Sequence, residues 1–155
     1  PYSTGQIPIY YNRRKSGRGH QGFYKDITSD PLYPFGHGLS YTEFKYGTVT
    51  PSVTKVKRGD RLSVEVTVTN VGARDGAETV HWFISDPYCS ITRPVKELKH
   101  FEKQLIRAGE TKTFRFDIDL ERDFGFVNED GKRFLEAGEY HILVQGQTVK
   151  IELID

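Results

Sequence analysis

The stretch LSVEVTVTN, residues 62–70, alternates apolar and polar side chains along its whole length. The apolar positions are Leu62, Val64, Val66 and Val68. Because successive side chains of a β-strand point to opposite faces, this pattern predicts a strand with one buried and one solvated face. A strand of this kind belongs to an antiparallel sheet that packs on a second layer.

The same alternation returns several times toward the end of the chain, at residues 113–120, 140–144 and 149–153. Glycines stand between the runs, where turns often need a positive φ; they are Gly59, Gly72, Gly109, Gly131 and Gly138. The spacing predicts an all-β, immunoglobulin-like sandwich of about seven or eight strands in two sheets. Helix is expected only as a single turn over residues 120–124, because Gly125 follows it at once.

The stretch at residues 77–85 is apolar on both of its faces. It therefore predicts a central strand, with Trp82 as the core anchor. The following residues, 86–103, allow two interpretations. They form a long loop that reaches toward a neighbouring domain or a homodimer partner, or residues 95–104 form an edge strand protected by Lys96, Lys99 and Lys103.

Composition excludes several classes of function. The 155 residues include 22 Lys and Arg against 21 Asp and Glu, a net charge of +1 that gives no field to attract nucleic acid or anionic lipid. No apolar run approaches the roughly 20 residues that a membrane-spanning helix needs. The absence of methionine and the start at Pro1 suggest a fragment of a longer polypeptide.

Candidate chemical groups are scattered. The five histidines lie without the spacing of metal ligands, and Cys89, the single cysteine, has no neighbouring base to activate it. The segment at residues 36–40 lacks the G-x-S-x-G pattern of a nucleophile elbow. We therefore predict no catalytic, cofactor-binding or metal-binding residues in this chain.

Residues 1–43 differ from the rest because aromatic side chains are mixed there with glycine, proline and basic residues. Only residues 7–11 resemble a strand, and residues 15–22 are expected to be mobile. The stretch PLYPFGHGLSYTEF, residues 31–44, is too apolar for an ordinary surface loop and is stiffened by Pro31 and Pro34. It predicts an irregular, extended connector that packs against something, with the domain boundary between 1–43 and 44–155.

These stretches together carry a resemblance to a known family. The connector, GQIPIYYNRR (5–14), VTVTNVGARDGAETVHWFISDP (66–87), LIRAGETKTFRFDI (105–118) and LEAGEYHILV (135–144) resemble the C-terminal end of glycoside hydrolase family 3, especially its bacterial β-glucosidases. The resemblance implies a (β/α)-barrel, then an α/β domain, then a fibronectin type III-like domain. This chain would hold the tail of the second domain, the connector and the third domain.

The resemblance also implies where the chemistry lies. A retaining glycosidase needs two carboxyl groups roughly 5 Å apart, and in this family both lie in the domains upstream of Pro1. The chain itself is then non-catalytic, within a parent that hydrolyses terminal β-D-glucosyl residues. A periplasmic or extracellular location is implied in the same way.

In this interpretation the partners are the preceding α/β and barrel domains. The residues expected to pack between domains are Tyr10, Tyr11, Tyr33, Phe35 and Tyr41. An alternative is an independent carbohydrate-binding module that stacks sugars on exposed rings, Tyr24 among them; it is not favoured, because the rings lie among the prolines and glycines of the connector. A further alternative is a structural or adhesion repeat of a surface protein.

Overall fold

The computed structural model describes residues 1–14 and 30–155, and in these it contains eleven strands. The strands are β1 (Phe44–Tyr46), β2 (Thr50–Pro51), β3 (Lys55–Lys57), β4 (Leu62–Asn70), β5 (Gly76–Ser85), β6 (Glu97–Ile106), β7 (Thr111–Ile118), β8 (Phe126–Val127), β9 (Arg133–Phe134), β10 (Gly138–Val144) and β11 (Gln147–Ile154). Eight of them are three residues or longer. The other three have two residues each, too short for a pattern of alternation to reveal.

Two sheets form the sandwich. In the first, β4 pairs along one side with β7 and along the other with the short strands β1 and β2, all antiparallel. In the second, the order is β3, β11, β10, β5, β6, with only the β3–β11 pair parallel. Strands β8 and β9 form a separate hairpin. The predicted all-β sandwich is therefore confirmed.

The core lies between the two sheets and follows the predicted alternation. Val64, Val66 and Val68 of β4 are at most 1% exposed. Trp82 of β5 is fully buried, with its ring 6.1 Å from that of Phe116 on β7. Among the described residues, no partner accepts a hydrogen bond from the indole Nε1 of Trp82. This ring is thus held by packing alone.

A tyrosine corner closes one end of the sandwich. The Tyr140 hydroxyl donates to the Glu136 carbonyl at 2.8 Å, and the Tyr140 ring stacks on Phe124 at 4.2 Å. Immunoglobulin-like sandwiches use such a tyrosine to tie a strand to the loop before it. Burial raises the pKa of this phenol, so it remains a donor throughout the physiological range. Phe124 ends the predicted helical turn, Leu120–Phe124, which is confirmed.

Two sequence predictions are settled by the observed strands. Residues 7–11 were predicted as a strand, but within residues 1–14 the structure has no strand, only an isolated bridge from Arg14 to Pro94. The prediction fails because Ile7 and Tyr10 are exposed and have no neighbouring strand to pair with. Of the two interpretations of residues 86–103, the edge strand is correct, since β6 spans Glu97–Ile106 at the edge of the five-stranded sheet.

Candidate interdomain surface

The connector lies against the outer face of β5. The Tyr11 and Phe35 rings stack on each other at 4.3 Å, and Phe35 meets Phe83 edge-on at 6.2 Å and His81 at 6.1 Å. Because Trp82 faces the core, its neighbours His81 and Phe83 must face outward. Phe83 is nevertheless only 8% exposed. The connector thus covers an apolar patch on the outside of the sandwich.

A tight turn brings Phe35 onto the sheet. The His37 backbone N–H donates to the Pro34 carbonyl at 2.9 Å, and the third residue of this turn, Gly36, has a φ of 85°. A left-handed φ at this position favours glycine. A Cβ on Gly36 would also lie 3.5 Å from Nδ1 of His81, which shows how closely the turn approaches β5. The sequence Pro-Phe-Gly-His therefore fixes the direction of the Phe35 ring.

The other end of the connector is tied to the sandwich by Asn70, the last residue of β4. This side chain is fully buried, and its Oδ1 accepts from the Thr42 hydroxyl at 2.7 Å and from the Gly72 N–H at 3.1 Å. Its Nδ2 donates to the carbonyls of Arg74 at 2.7 Å and Ile106 at 2.9 Å. Sequence reasoning predicted only a turn here, because nothing in Asn-Val-Gly distinguishes a buried asparagine from an exposed one.

The connector backbone runs close to the same turn. The Val71 N–H donates to the Glu43 carbonyl at 2.9 Å. A Cβ on Gly72 would lie 2.2 Å from the Thr42 hydroxyl oxygen and 2.9 Å from the Glu43 nitrogen, so only glycine fits without displacing this backbone. The connector is therefore anchored at both ends, by aromatic stacking on β5 and by hydrogen bonds at Asn70.

Between and beside the anchors, large apolar side chains point into solvent. Leu39 is 95% exposed and Tyr41 94%, while Tyr33 and Tyr10 are each about two-thirds exposed. Of the five residues expected to pack between domains, Tyr11 and Phe35 have partners on the sandwich, and the other three present most of their surface to water. We call Tyr10, Tyr33, Leu39 and Tyr41 the exposed connector side chains.

A groove of about 740 Å³ lies beside them. Its walls come from the N-terminal segment, the connector and the residues before β6; among them are Tyr10, Tyr33, Asp30, Val95 and Lys96. The N-terminal segment is held there by the Val95 N–H, which donates to the Arg13 carbonyl at 2.8 Å. Lys96 places its Nζ 4.5 Å from the centre of the Phe83 ring. Tyr24 and residues 15–22, also singled out by sequence, lie outside the described residues.

A buried arginine that sequence reasoning missed holds the loop before β6. The Arg93 side chain is 6% exposed and pairs with Asp86, itself 5% exposed, at 3.0 Å. It also donates to the Phe124 carbonyl at 2.7 Å and pairs with Glu97 at 3.3 Å. The ion pair keeps the loop against the sandwich.

The remaining candidate groups among the described residues are the Cys89 thiol and the side chains that could bind a metal. Burial, together with hydrogen bonding to Glu136, raises the pKa of the Cys89 thiol to about 11, so it is protonated at neutral pH. Within residues 1–14 and 30–155, no three His, Cys, Asp or Glu side chains lie close enough together to hold a metal ion. No helix in this part of the chain is long and apolar enough to cross a membrane.

Comparison with known proteins gives a consistent set of relatives. Residues 78–148 match the family model of the fibronectin type III-like domain. The periplasmic β-glucosidase of Salmonella typhimurium is 38% identical over 98% of this chain, and a β-xylosidase of Formosa agariphila is 38% identical over 93%. The crystal structure of a Listeria innocua β-glucosidase in complex with glucose superposes on 97% of the chain with a TM-score of 0.89 at 36% identity.

The chain spans only about a fifth of the length of these relatives, 21% and 20% for the two sequences and 23% for the crystal structure. These relatives are β-glucosidases and β-xylosidases rather than repeat proteins of cell surfaces, so the adhesion alternative is not supported. The matched domain is a non-catalytic, accessory part of such larger proteins. The chain belongs to glycoside hydrolase family 3, as the C-terminal region that carries the fibronectin type III-like domain.

Proposed function

We propose that this chain is a supporting region of a retaining β-glucosidase-like enzyme and stabilises the packing of its domains. Residues 44–155 form the supporting sandwich, and residues 1–43 form the tail of the preceding α/β domain and the connector. The α/β and barrel domains of the same polypeptide are the partners. The periplasmic relative from Salmonella supports a location outside the cytoplasm, and the named relatives support a parent that acts on β-glucosides.

The observation that carries this proposal is the contrast along the connector. Its two ends are fixed to the sandwich, whereas Leu39 and Tyr41 between them are almost fully exposed. An anchored segment that presents large apolar side chains to water is typical of a surface that another domain covers. Full burial of such a side chain stabilises by about 1.5–3 kcal/mol, so a few of them suffice to hold a tethered domain.

The carboxylates of the chain support a catalytic pair located elsewhere. Asp123, a buried acidic side chain, accepts hydrogen bonds from Arg122 and from the Asp119 N–H. Glu65 and Glu139 are paired with Arg115 and Lys150. Each of these three carboxylates is engaged by a cation.

The experiment compares two variants of the full-length polypeptide. Leu39→Ser with Tyr41→Ser should lower the Tm of the whole enzyme while kcat on an aryl β-glucoside changes little. Val53→Ser is the control, since Val53 is an exposed apolar residue of the sandwich, between β2 and β3. A melting curve that is the same for the double variant and the control would count against the supporting role.

The groove beside the connector favours a second candidate, direct carbohydrate binding. Its wall combines the Tyr10 and Tyr33 rings with polar groups such as Asp30, a combination that can stack and hydrogen-bond a sugar. Calorimetric titration of the chain with cellobiose or laminarin tests it. Saturable binding at low millimolar ligand that is lost in Tyr33→Ala would favour this candidate. If the titration gives no heat of binding, carbohydrate binding is not supported and the supporting role is the function that stands.

A further inference from the structure

The two outer faces of the sandwich differ in chemistry. On the four-stranded sheet, the outward positions of β4 and β7 are polar or charged: Ser63, Glu65, Thr67, Thr69, Thr113, Arg115 and Asp117. Arg115 pairs with Glu65 at 3.0 Å and with Asp117 at 2.8 Å across this face. The outer face of this sheet therefore has the polar composition expected of a sheet face that is exposed to solvent.

The five-stranded sheet carries large apolar side chains on its outer face around β5 and β6, together with Lys103, which lies between Phe101 and Leu105 on β6. Phe83 is covered by the connector, but on the edge strand β6 the outward side chains Phe101 and Leu105 remain 62% and 58% exposed. We call these two residues the β6 patch. Neither is needed for the core, which lies on the other side of the sheet.

The β6 patch is continuous with the connector. Phe101 is the register partner of His81, whose ring the Phe35 ring contacts. Leu105 lies on the same face of β6 as Phe101, four residues further along the strand. Phe101 thus lies one strand away from the point at which the connector packs on β5, and Leu105 extends the patch along β6.

We propose that the β6 patch is a second contact region for the domain that precedes this chain in the same polypeptide, so that the interface extends beyond the connector onto the sandwich. This inference rests on the proposed supporting function. Pro1 lines the groove on this side of the molecule, so a domain that precedes this chain in the same polypeptide would connect to it here.

A tethered domain fits the patch better than a second copy of the chain. Tethering supplies an effective concentration in the millimolar range, so a small patch is sufficient. A stable complex of separate chains needs about 800 Å² per partner. The edge of β6 also carries Lys99 and Lys103, which oppose strand pairing between copies.

The test uses Phe101→Ser with Leu105→Ser in the full-length polypeptide, and Val53→Ser with Val127→Ser as a control, since these valines are also exposed, at 44% and 55%. The readout is the rate of limited proteolysis within the connector at a temperature below the Tm. The patch variant should be cleaved about tenfold faster than the wild type, and the control at the wild-type rate. In the 155-residue chain alone, both variants should have the wild-type urea midpoint.

Hydrogen exchange gives an independent readout. Residues 97–106 should exchange more slowly in the full-length polypeptide than in the isolated chain. Equal protection, or equal cleavage of the patch variant and the control, would overturn the inference. If the patch variant behaves like wild type while Leu39→Ser with Tyr41→Ser lowers the Tm, the supporting function stands and only the β6 patch fails. A dimer of the isolated chain that the patch substitutions dissociate would also overturn it.

Discussion

Asn70 offers the sharpest test of how the connector is joined to the sandwich, and we predict a large loss of stability for Asn70→Ala. The side chain makes four hydrogen bonds, two accepted and two donated. Its partners belong to the connector (Thr42), to the turn after β4 (Gly72, Arg74) and to the end of β6 (Ile106). One substitution therefore removes the link between three separate segments.

The magnitude follows from the burial of each bond. The bond to the Ile106 carbonyl is buried, so the unpaired carbonyl costs about 1–3 kcal/mol. The other three are partly buried and contribute roughly 0.5–1.5 kcal/mol each, because water can replace part of the loss. We expect the free energy of unfolding to fall by about 3–5 kcal/mol. Asn70→Asp keeps the volume but turns both donors into acceptors facing carbonyl oxygens, so it should cost at least as much.

Urea unfolding followed by fluorescence provides the assay. Trp82 is the single tryptophan and is fully buried, so its emission reports loss of the sandwich core. Thr69→Ala is the matched control: Thr69 is adjacent on β4, but its hydroxyl bonds only to Thr111 on the exposed face. We expect the control to cost under about 1 kcal/mol. A free energy of unfolding for Asn70→Asp within about 1 kcal/mol of wild type would refute the reasoning.

Three further predictions concern ionisable groups. Arg93→Met should lower the free energy of unfolding by about 3–5 kcal/mol, because it leaves Asp86 buried without its cation; urea unfolding checks this, and a loss below about 1 kcal/mol contradicts it. The rate at which Cys89 reacts with a disulfide reagent should rise about tenfold per pH unit from pH 7 to about pH 10, because the pKa of the Cys89 thiol is about 11. A rate that reaches a plateau near pH 9, as for a free thiol, would show that the thiol is not buried. Burial opposes ionisation of Glu97, but Lys99 and Arg93 outweigh it and lower the Glu97 pKa, so its stabilising effect is present above about pH 4.3 and is lost as the pH falls through the lowered pKa. Wild type should therefore lose more stability than Glu97→Gln between about pH 5 and pH 3 in urea titrations, and parallel curves would be the contrary result.

The alternation of apolar residues was sufficient to predict the sandwich, because period-two burial is a local property of each strand. The predicted faces of β4 and β7 are those observed. The short strands β8 and β9 could not be predicted, since two residues contain no period. The strand prediction for residues 7–11 was wrong for a related reason. An apolar run in the sequence indicates burial, but it does not show whether another strand is available to pair with it.

The polar residues that organise the surface were not accessible to the same reasoning. Asn70 and Arg93 belong to types that are usually exposed. Their burial depends on partners far along the chain, Ile106 for Asn70 and Phe124 for Arg93. Only the folded topology brings these carbonyls within reach.

The edge strand β6 gives the strongest physical reason to expect a covering domain. Three of its inward positions, His100, Glu102 and Gln104, are polar and only Ile106 among them is a core residue, whereas Phe101 and Leu105 face outward on either side of Lys103. On β4, by contrast, the valines face the core. The stretch containing β5 was predicted to be a central strand because both of its faces are apolar. In the structure the connector covers the outer face of β5, which explains why that face is apolar. The same pattern continues onto β6 with no covering segment among the described residues, so the physical expectation is that the rest of the polypeptide supplies one.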